Sequence, residues 1–295
     1  MVVIIAGPTG VGKTKMAVEL AKHYNTEIIS GDSMQIYKGL DIGTAKVTTS
    51  EAQGITHHMI DIIEPTKDYS VAQYQRQVRH LINTFQTKNK RPIIAGGTGY
   101  YIKSVLHDFD FSEAHQSTTF EQQFESTNNE ALHSYLASLD KASSETMHPN
   151  NRKRVLQALY RVMHGKKKSA LKEPAPLYDY CLIVLSMDRK TLYERIDQRV
   201  DQMMAEGLVE EAKMLYDSTP STTASKAIGY KELFGYFEGD YDLKEAIRLI
   251  KRNTRRYAKR QFTYFNNQFN PHYIDMGKNS FENAFYQAVK IIDKT

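Results

Sequence analysis

The chain opens on an apolar run, Val2-Val3-Ile4-Ile5-Ala6, that leads directly into Gly7-Pro8-Thr9-Gly10-Val11-Gly12-Lys13-Thr14. The second piece fits G-x-x-x-x-G-K-[ST], a phosphate-binding loop. Gly7 and Gly12 let the backbone curl so that successive N–H groups point inward at an anion. Lys13 brings a point charge to the outer phosphate, and the Thr14 hydroxyl can serve a Mg²⁺ ion. Met16, Ala17, Leu20, Ala21 and Tyr24 follow at helical spacing, so a helix aims its positive end at the same anion. Such a loop works only between a buried strand and a helix, which commits the chain to an α/β fold. It leaves open which phosphate compound binds.

The same alternation continues downstream. Glu27-Ile28-Ile29-Ser30 reads as a strand and runs into Gly31-Asp32-Ser33-Met34-Gln35. Asp41-Ile42-Gly43-Thr44-Ala45-Lys46 reads as a loop, and a short strand is predicted over residues 57–61. Ser70 with Gln73 forms a capping box ahead of a helix whose apolar face is Val71, Tyr74, Val78, Leu81, Ile82 and Phe85. Pro92-Ile93-Ile94-Ala95 is the next strand; it ends in Gly96-Gly97-Thr98-Gly99, with a helix over residues 100–106. Strand–loop–helix units in this order predict a parallel sheet flanked by helices. Function in such sheets collects at the carboxyl ends of the strands, where the loop 7–14, Asp32 and the glycine turn at 96–99 all fall.

Residues 110–173 break the pattern and read as a mainly helical insertion between a core of residues 1–109 and 174–295. The stretch 112–129 has weak periodicity and is expected to be mobile. Leu182-Ile183-Val184-Leu185 returns as a core strand. Asp188 caps a helix containing Leu192, Ile196, Val200 and Met203, on which Arg195 and Arg199 share a face. Another helix follows over residues 208–216. Asp242 and Glu245 start a long helix with Ile247, Ile250, Tyr257, Ala258, Gln261 and Phe265 on one side and Arg248, Arg252, Arg255, Arg256 and Lys259 on the other.

Charge is unevenly placed. Residues 108–145 carry eight acids and one base; residues 150–172 carry eight Lys/Arg and no acid, and residues 244–260 carry eight Lys/Arg and one acid. Two basic blocks on a chain of net charge +5 suggest a polyanionic partner. No apolar run reaches the ~20 residues of a membrane span. The opening apolar run is short for a signal-peptide core and lacks a basic leader. The single cysteine, Cys181, leaves no internal disulfide and no cysteine-based zinc site. His57-His58 has no third ligand at a useful spacing. The expectation is a cytoplasmic protein with no membrane segment, and a monomer by default.

Asp32, just past a strand end, could hold Mg²⁺, orient a hydroxyl, act as a general base, or only cap its own turn. No apolar strand ends in the acidic residue that an ordinary ATPase uses as a second Mg²⁺ ligand.

The motifs GPTGVGKT, SGDSMQIYKGLDIGTAK, HHMID, IIAGGTGYYIK, HPNNRKR, AIGYKE and RRYAKRQFTYF occur in that order, from Val3 to about Phe265. Together they resemble the tRNA dimethylallyltransferases of bacterial type. The resemblance implies a P-loop NTPase-like sheet and transfer of a dimethylallyl group from dimethylallyl diphosphate to N6 of adenosine 37, 3′ of the anticodon. Catalytic roles would fall to Asp32 as general base and to Lys13, Thr14 and Arg199 at the diphosphate, with Arg195 the less favoured arginine. Residues 7–14 would hold the diphosphate, with Mg²⁺ at Thr14. The tRNA would meet Asp32, Ser33, Met34, Gln35 and Thr98; Lys153, Arg154, Val155, Leu156 and Gln157 in the insertion; and Lys226, Ala227, Ile228, Gly229, Tyr230 and Lys231, with the C-terminal helices also contributing. The chain departs from the family at Gln157, where a second arginine is common, and at Tyr264, where Trp is usual. No zinc finger of the kind found in eukaryotic members is expected, in keeping with the bacterial type. The alternatives are a P-loop nucleotide or small-molecule kinase and a non-catalytic RNA-binding protein.

Overall fold

The strands of the core are apolar on both faces because both faces are covered. The computed structural model describes residues 1–109, 111, 117–165 and 175–295. Among them are the strands β1 (Val2–Ala6), β2 (Ile28–Ser30), β3 (His57–His58), β4 (Ile93–Gly96), β5 (Tyr180–Ser186) and β6 (His272–Asp275). They form one six-stranded sheet in the order β3-β2-β4-β1-β5-β6. Every pairing is parallel; Ala6 on β1 stands opposite Gly96 on β4 and Val184 on β5. Side chains alternate between the two faces with period two. Val2, Ile4, Ile29, Ile94, Leu182 and Val184 enter one core, and Val3, Ile5, Ile28, Ile93, Ile183 and Leu185 enter the other.

Helices close both faces. α1 (Lys13–His23) and α13 (Phe281–Ile292) cover the second core, while α3 (Val71–Thr87), α4 (Gly99–Leu106), α10 (Leu208–Asp217) and α11 (Tyr230–Phe237) cover the first. α2 (Thr49–Ala52) is one short turn. α9 (Arg189–Ala205) and α12 (Leu243–Gln268) contribute to both cores. Their starts follow the sequence: Ser70 accepts the Gln73 N–H at 3.2 Å and Asp242 the Glu245 N–H at 2.8 Å.

The described residues divide into two compact units, Met1–Leu106 with Tyr178–Thr295, and His107–Leu177. The second holds α5 (Ser117–Gln122), α6 (Asn129–Leu139), α7 (Lys141–Ser144) and α8 (Arg152–Met163) around a small core of its own, with Phe120, Leu132, Leu136 and Leu159. Of the stretch 112–129, residues 112–116 lie outside the described residues, and the rest includes α5 and the Asn128 cap of α6. Arg152 belongs to this unit's framework: its guanidinium donates to the Thr127 carbonyl at 2.6 Å and the Phe124 carbonyl at 2.5 Å.

Two parts of the core differ from the expectation. The strand predicted over residues 57–61 ends at His58, because Met59 and Asp61 turn to φ of 64° and 55°. There the Asp61 N–H donates to the Gln35 carbonyl at 3.1 Å, and the Asp61 carboxylate accepts from Lys46 at 2.6 Å. β6 and α13, which follow the long helix, are further elements that the expectation does not include: β6 is short and mostly exposed, whereas α13 lays Ala284, Ala288 and Ile292 on the second core.

Candidate active site

A cavity of about 530 Å³ opens at the carboxyl ends of the central strands. Its floor is the loop after β1. Gly7 takes a φ of 143°, and a Cβ there would stand 2.6 Å from the Leu185 carbonyl oxygen, so only glycine fits the turn out of the sheet. Thr9, Gly10, Gly12, Lys13 and Thr14 line the cavity, whereas Gly7, Pro8 and Val11 sit behind them as the loop's frame. The Lys13 ammonium donates to the Pro8 carbonyl at 2.9 Å, which folds it back over the loop. Burial pushes Lys13 down to about 8; Asp32 opposes the shift and the Arg199 charge adds to it.

The segment after β2 supplies Asp32, Ser33, Met34 and Gln35 to the same cavity. Asp32 does two things at once. One carboxylate oxygen accepts the Met34 N–H at 2.8 Å and so shapes the turn. Its charge faces Lys13. Burial raises its pKa above the ordinary carboxylate value, against the pull of the Met34 and Gln35 N–H groups and of Lys13. Thr98 stands behind this segment rather than in the cavity wall: its hydroxyl accepts the Ser33 N–H at 3.1 Å. Gln35 is fixed by Ser30, whose hydroxyl donates to it at 3.0 Å.

Arg199 lines the cavity from α9, while Arg195, one turn earlier, is exposed and outside it. Burial draws the Arg199 guanidinium below its ordinary value, with Glu51 and Glu206 opposing, and it stays a cation. Lys226, Ala227, Ile228, Gly229 and Lys231 form another wall. Tyr230 within that run points away: it is fully buried and its hydroxyl donates to Glu211 at 2.6 Å.

In the second unit, α8 exposes Lys153, Arg154 and Gln157, but Val155 and Leu156 are 0% and 4% exposed. The side chains of Val155 and Leu156 therefore pack into the helical core; a run of five consecutive residues on a helix spans more than one face. On α12 the cations also divide. Arg248 pairs with Glu245 at 2.6 Å, Lys251 with Asp201 at 2.6 Å, and Arg255 with Asp197, so these are neutralised within the fold.

Sequence periodicity placed Ile250, Tyr257 and Gln261 on the inner side of α12 without showing what they face. They line the cavity, as do Thr254 and Arg260. Burial, with Asp32 nearby, pushes the Tyr257 hydroxyl up to about 12. The loop carrying Gly43, Thr44 and Ala45 is also part of the wall. It is held by Glu211 on α10, whose carboxylate accepts the N–H groups of Asp41, Ile42 and Gly43 at 2.8–2.9 Å. Glu211→Ala would leave these donors and the Tyr230 hydroxyl unpaired, and is expected to lower stability by about 3 kcal/mol in denaturant unfolding.

The IPP transferase family model matches residues 35–268 of the chain. A tRNA dimethylallyltransferase from Anoxybacillus flavithermus is 50% identical over 281 residues, covering 93% of this chain and 90% of that protein. The crystal structure of a tRNA isopentenylpyrophosphate transferase from Bacillus halodurans matches with a TM-score of 0.78 at 41% identity, over 99% of this chain and 95% of that one. A eukaryotic dimethylallyltransferase acting on tRNA matches with a TM-score of 0.87 at 27% identity, over 99% of this chain and 79% of that one. With a P-loop NTPase-like sheet, a glycine loop at its centre and this likeness over most of its length, the chain belongs to the IPP transferase family.

Proposed function

We propose that the chain transfers a dimethylallyl group from dimethylallyl diphosphate to N6 of adenosine 37 of tRNA, releasing diphosphate. The observation that carries this reading is one cavity in which two cations, Lys13 and Arg199, meet a carboxylate, Asp32. Cations beside a phosphate loop suit a leaving diphosphate; a carboxylate kept partly protonation-prone by burial suits a base.

The C1–O bond of the donor breaks toward the diphosphate, and the allylic carbon forms its new bond to N6. Lys13, Arg199 and the loop N–H groups hold the negative charge that grows on the departing oxygen. Asp32 takes the proton that N6 loses, so the acceptor ends as a neutral secondary amine. Thr14, exposed to the cavity beside Lys13, fits a Mg²⁺ that keeps mostly water and phosphate oxygens as ligands. When bound, that ion adds charge neutralisation at the diphosphate.

The adenine must leave its stack to reach Asp32. Met34, Gln35 and Ser33 would receive it, with Thr98 holding Ser33 in place. Lys226 and Lys231, both exposed, and Lys153, Arg154 and Gln157 on α8 would meet the tRNA backbone. Replacing Lys226 and Lys231 together by alanine is expected to weaken tRNA binding and to lower the slope of log K against log salt by about 2. A slope equal to the wild type's would remove these lysines from the interface.

The deciding assay is unmodified tRNA with labelled dimethylallyl diphosphate, and ATP as control. Label passing to tRNA without ATP supports the reading; phosphoryl transfer from ATP would replace it with a kinase. No described helix is long and apolar enough to cross a membrane. The proposal takes the enzyme to act on tRNA in the cytoplasm as a monomer, which sedimentation with and without tRNA tests.

A further inference from the structure

One side chain in the cavity wall has a geometry that neither charge nor phosphate chemistry explains. Gln261, on α12, is 5% exposed. Its Oε1 accepts the N–H of Thr9, inside the phosphate loop, at 3.1 Å. Its Nε2 donates to the carbonyl of Gly97, in the turn after β4, at 3.0 Å. Both ends of one amide are thus committed to backbone, and in opposite senses. The fit is close: a Cβ at Gly97 would lie 2.0 Å from that Nε2.

The two backbone partners serve different halves of the site. Thr9 belongs to the loop that meets the diphosphate. Gly97 precedes Thr98, whose hydroxyl fixes Ser33 next to Asp32. The helix that carries Gln261 also sends Tyr257 and Arg260 into the cavity. We propose that Gln261 is a positioning residue that locks the phosphate loop to the acceptor-side turn, so that donor and base are held at one spacing. The proposal rests on the transferase reading above.

The physical logic is a matter of donors and acceptors. The Thr9 N–H needs an acceptor and the Gly97 carbonyl needs a donor, and a primary amide of this length supplies both at any working pH without carrying a charge. A methionine keeps the volume and supplies neither. A glutamate supplies the acceptor, but supplies the donor only when protonated. Ionised, it sets a second acceptor against the Gly97 oxygen and adds negative charge beside the diphosphate.

The test is steady-state kinetics on Gln261→Met and Gln261→Glu, with each substrate varied, over a range of pH. For Gln261→Met, KM for dimethylallyl diphosphate is expected to rise about tenfold or more, with KM for tRNA within about twofold of wild type. For Gln261→Glu, kcat/KM relative to wild type should climb as pH falls and the carboxyl protonates, whereas the Gln261→Met ratio stays flat. An unchanged donor KM in both variants, a rise shared equally by the tRNA KM, or a Gln261→Glu ratio flat with pH overturns the proposal. Should Gln261→Met fail to fold, the pH series on Gln261→Glu decides alone. Calorimetric binding of inorganic diphosphate to the same variants separates this idea from the reading it rests on. Diphosphate binding that weakens in the variants while the wild type labels no tRNA keeps the lock and overturns the transferase. Wild-type labelling with unaltered diphosphate binding does the reverse.

Discussion

Replacing Asp32 with alanine is expected to slow transfer to tRNA by about 10²–10⁴-fold, the range that a positioned general base contributes. The alanine variant alone would not settle the cause, because Asp32 also accepts the Met34 N–H and so shapes its turn. Asp32→Asn retains an acceptor oxygen for that N–H but cannot take a proton at neutral pH. If Asp32 is the base, Asn is as damaging as Ala; if it only caps the turn, Asn turns over near the wild-type rate. The pH profile gives an independent reading. Burial raises the Asp32 pKa, so the ionised base is lost as pH falls, and the acid limb of kcat/KM should lie above the ordinary carboxylate range. That limb should vanish in Asp32→Asn.

Lys13→Met is expected to lower kcat/KM for dimethylallyl diphosphate by about 10²–10³-fold, as removal of a main charge-stabilising group does elsewhere. Here too pH separates charge from shape. Burial, with Arg199 close by, brings Lys13 down to about 8 in the free protein. Below that value the ammonium is charged and the donor binds; above it the amine is neutral and donor capture falls. An alkaline limb near pH 8 is therefore expected in kcat/KM, which reports the free enzyme. In kcat the limb should move to higher pH, since a bound diphosphate favours the charged amine. Lys13→Arg, whose guanidinium stays charged throughout, should remove the limb whatever its absolute rate. Persistence of the limb in Lys13→Arg would assign it to another group.

How much of this could be read from the chain depends on how local each constraint is. The loop 7–14 was legible because its strand, glycines, lysine and helix are contiguous. The parallel sheet was legible because β1, β4 and β5 are apolar on both faces, and such runs need helices on both sides. The choice between Arg195 and Arg199 was not, since residues four apart share a helix face and only position along the axis distinguishes them. Nor could a run of five residues on α8 reveal that Val155 and Leu156 turn inward while their neighbours face out. The partners of Glu211 and Gln261 were hidden more deeply. Glu211 meets a loop about 170 positions away and Gln261 a loop 252 positions away. The period-3.6 pattern puts Gln261 on the inner side of its helix without saying what waits there, and Glu211 carries no sequence signal of its role. The early end of β3 has a similar cause: Met59 and Asp61 adopt left-handed backbone to reach Gln35 and Lys46, and nothing in their own residue types requires it.

The Glu211 cradle bears on how the molecule breathes. Residues 41–43 form a surface loop, and amides in such loops ordinarily exchange with solvent deuterium almost at once. Three of them here converge on one buried carboxylate. Their hydrogens can leave only when α10 and the loop part, an opening that also exposes Tyr230. The amides of Asp41, Ile42 and Gly43 should therefore exchange together, as slowly as those of the sheet and far more slowly than that of Gly39 nearby. One wall of the cavity would then belong to the most rigid part of the protein, and the mobility needed to admit an extruded base must come from elsewhere around its rim.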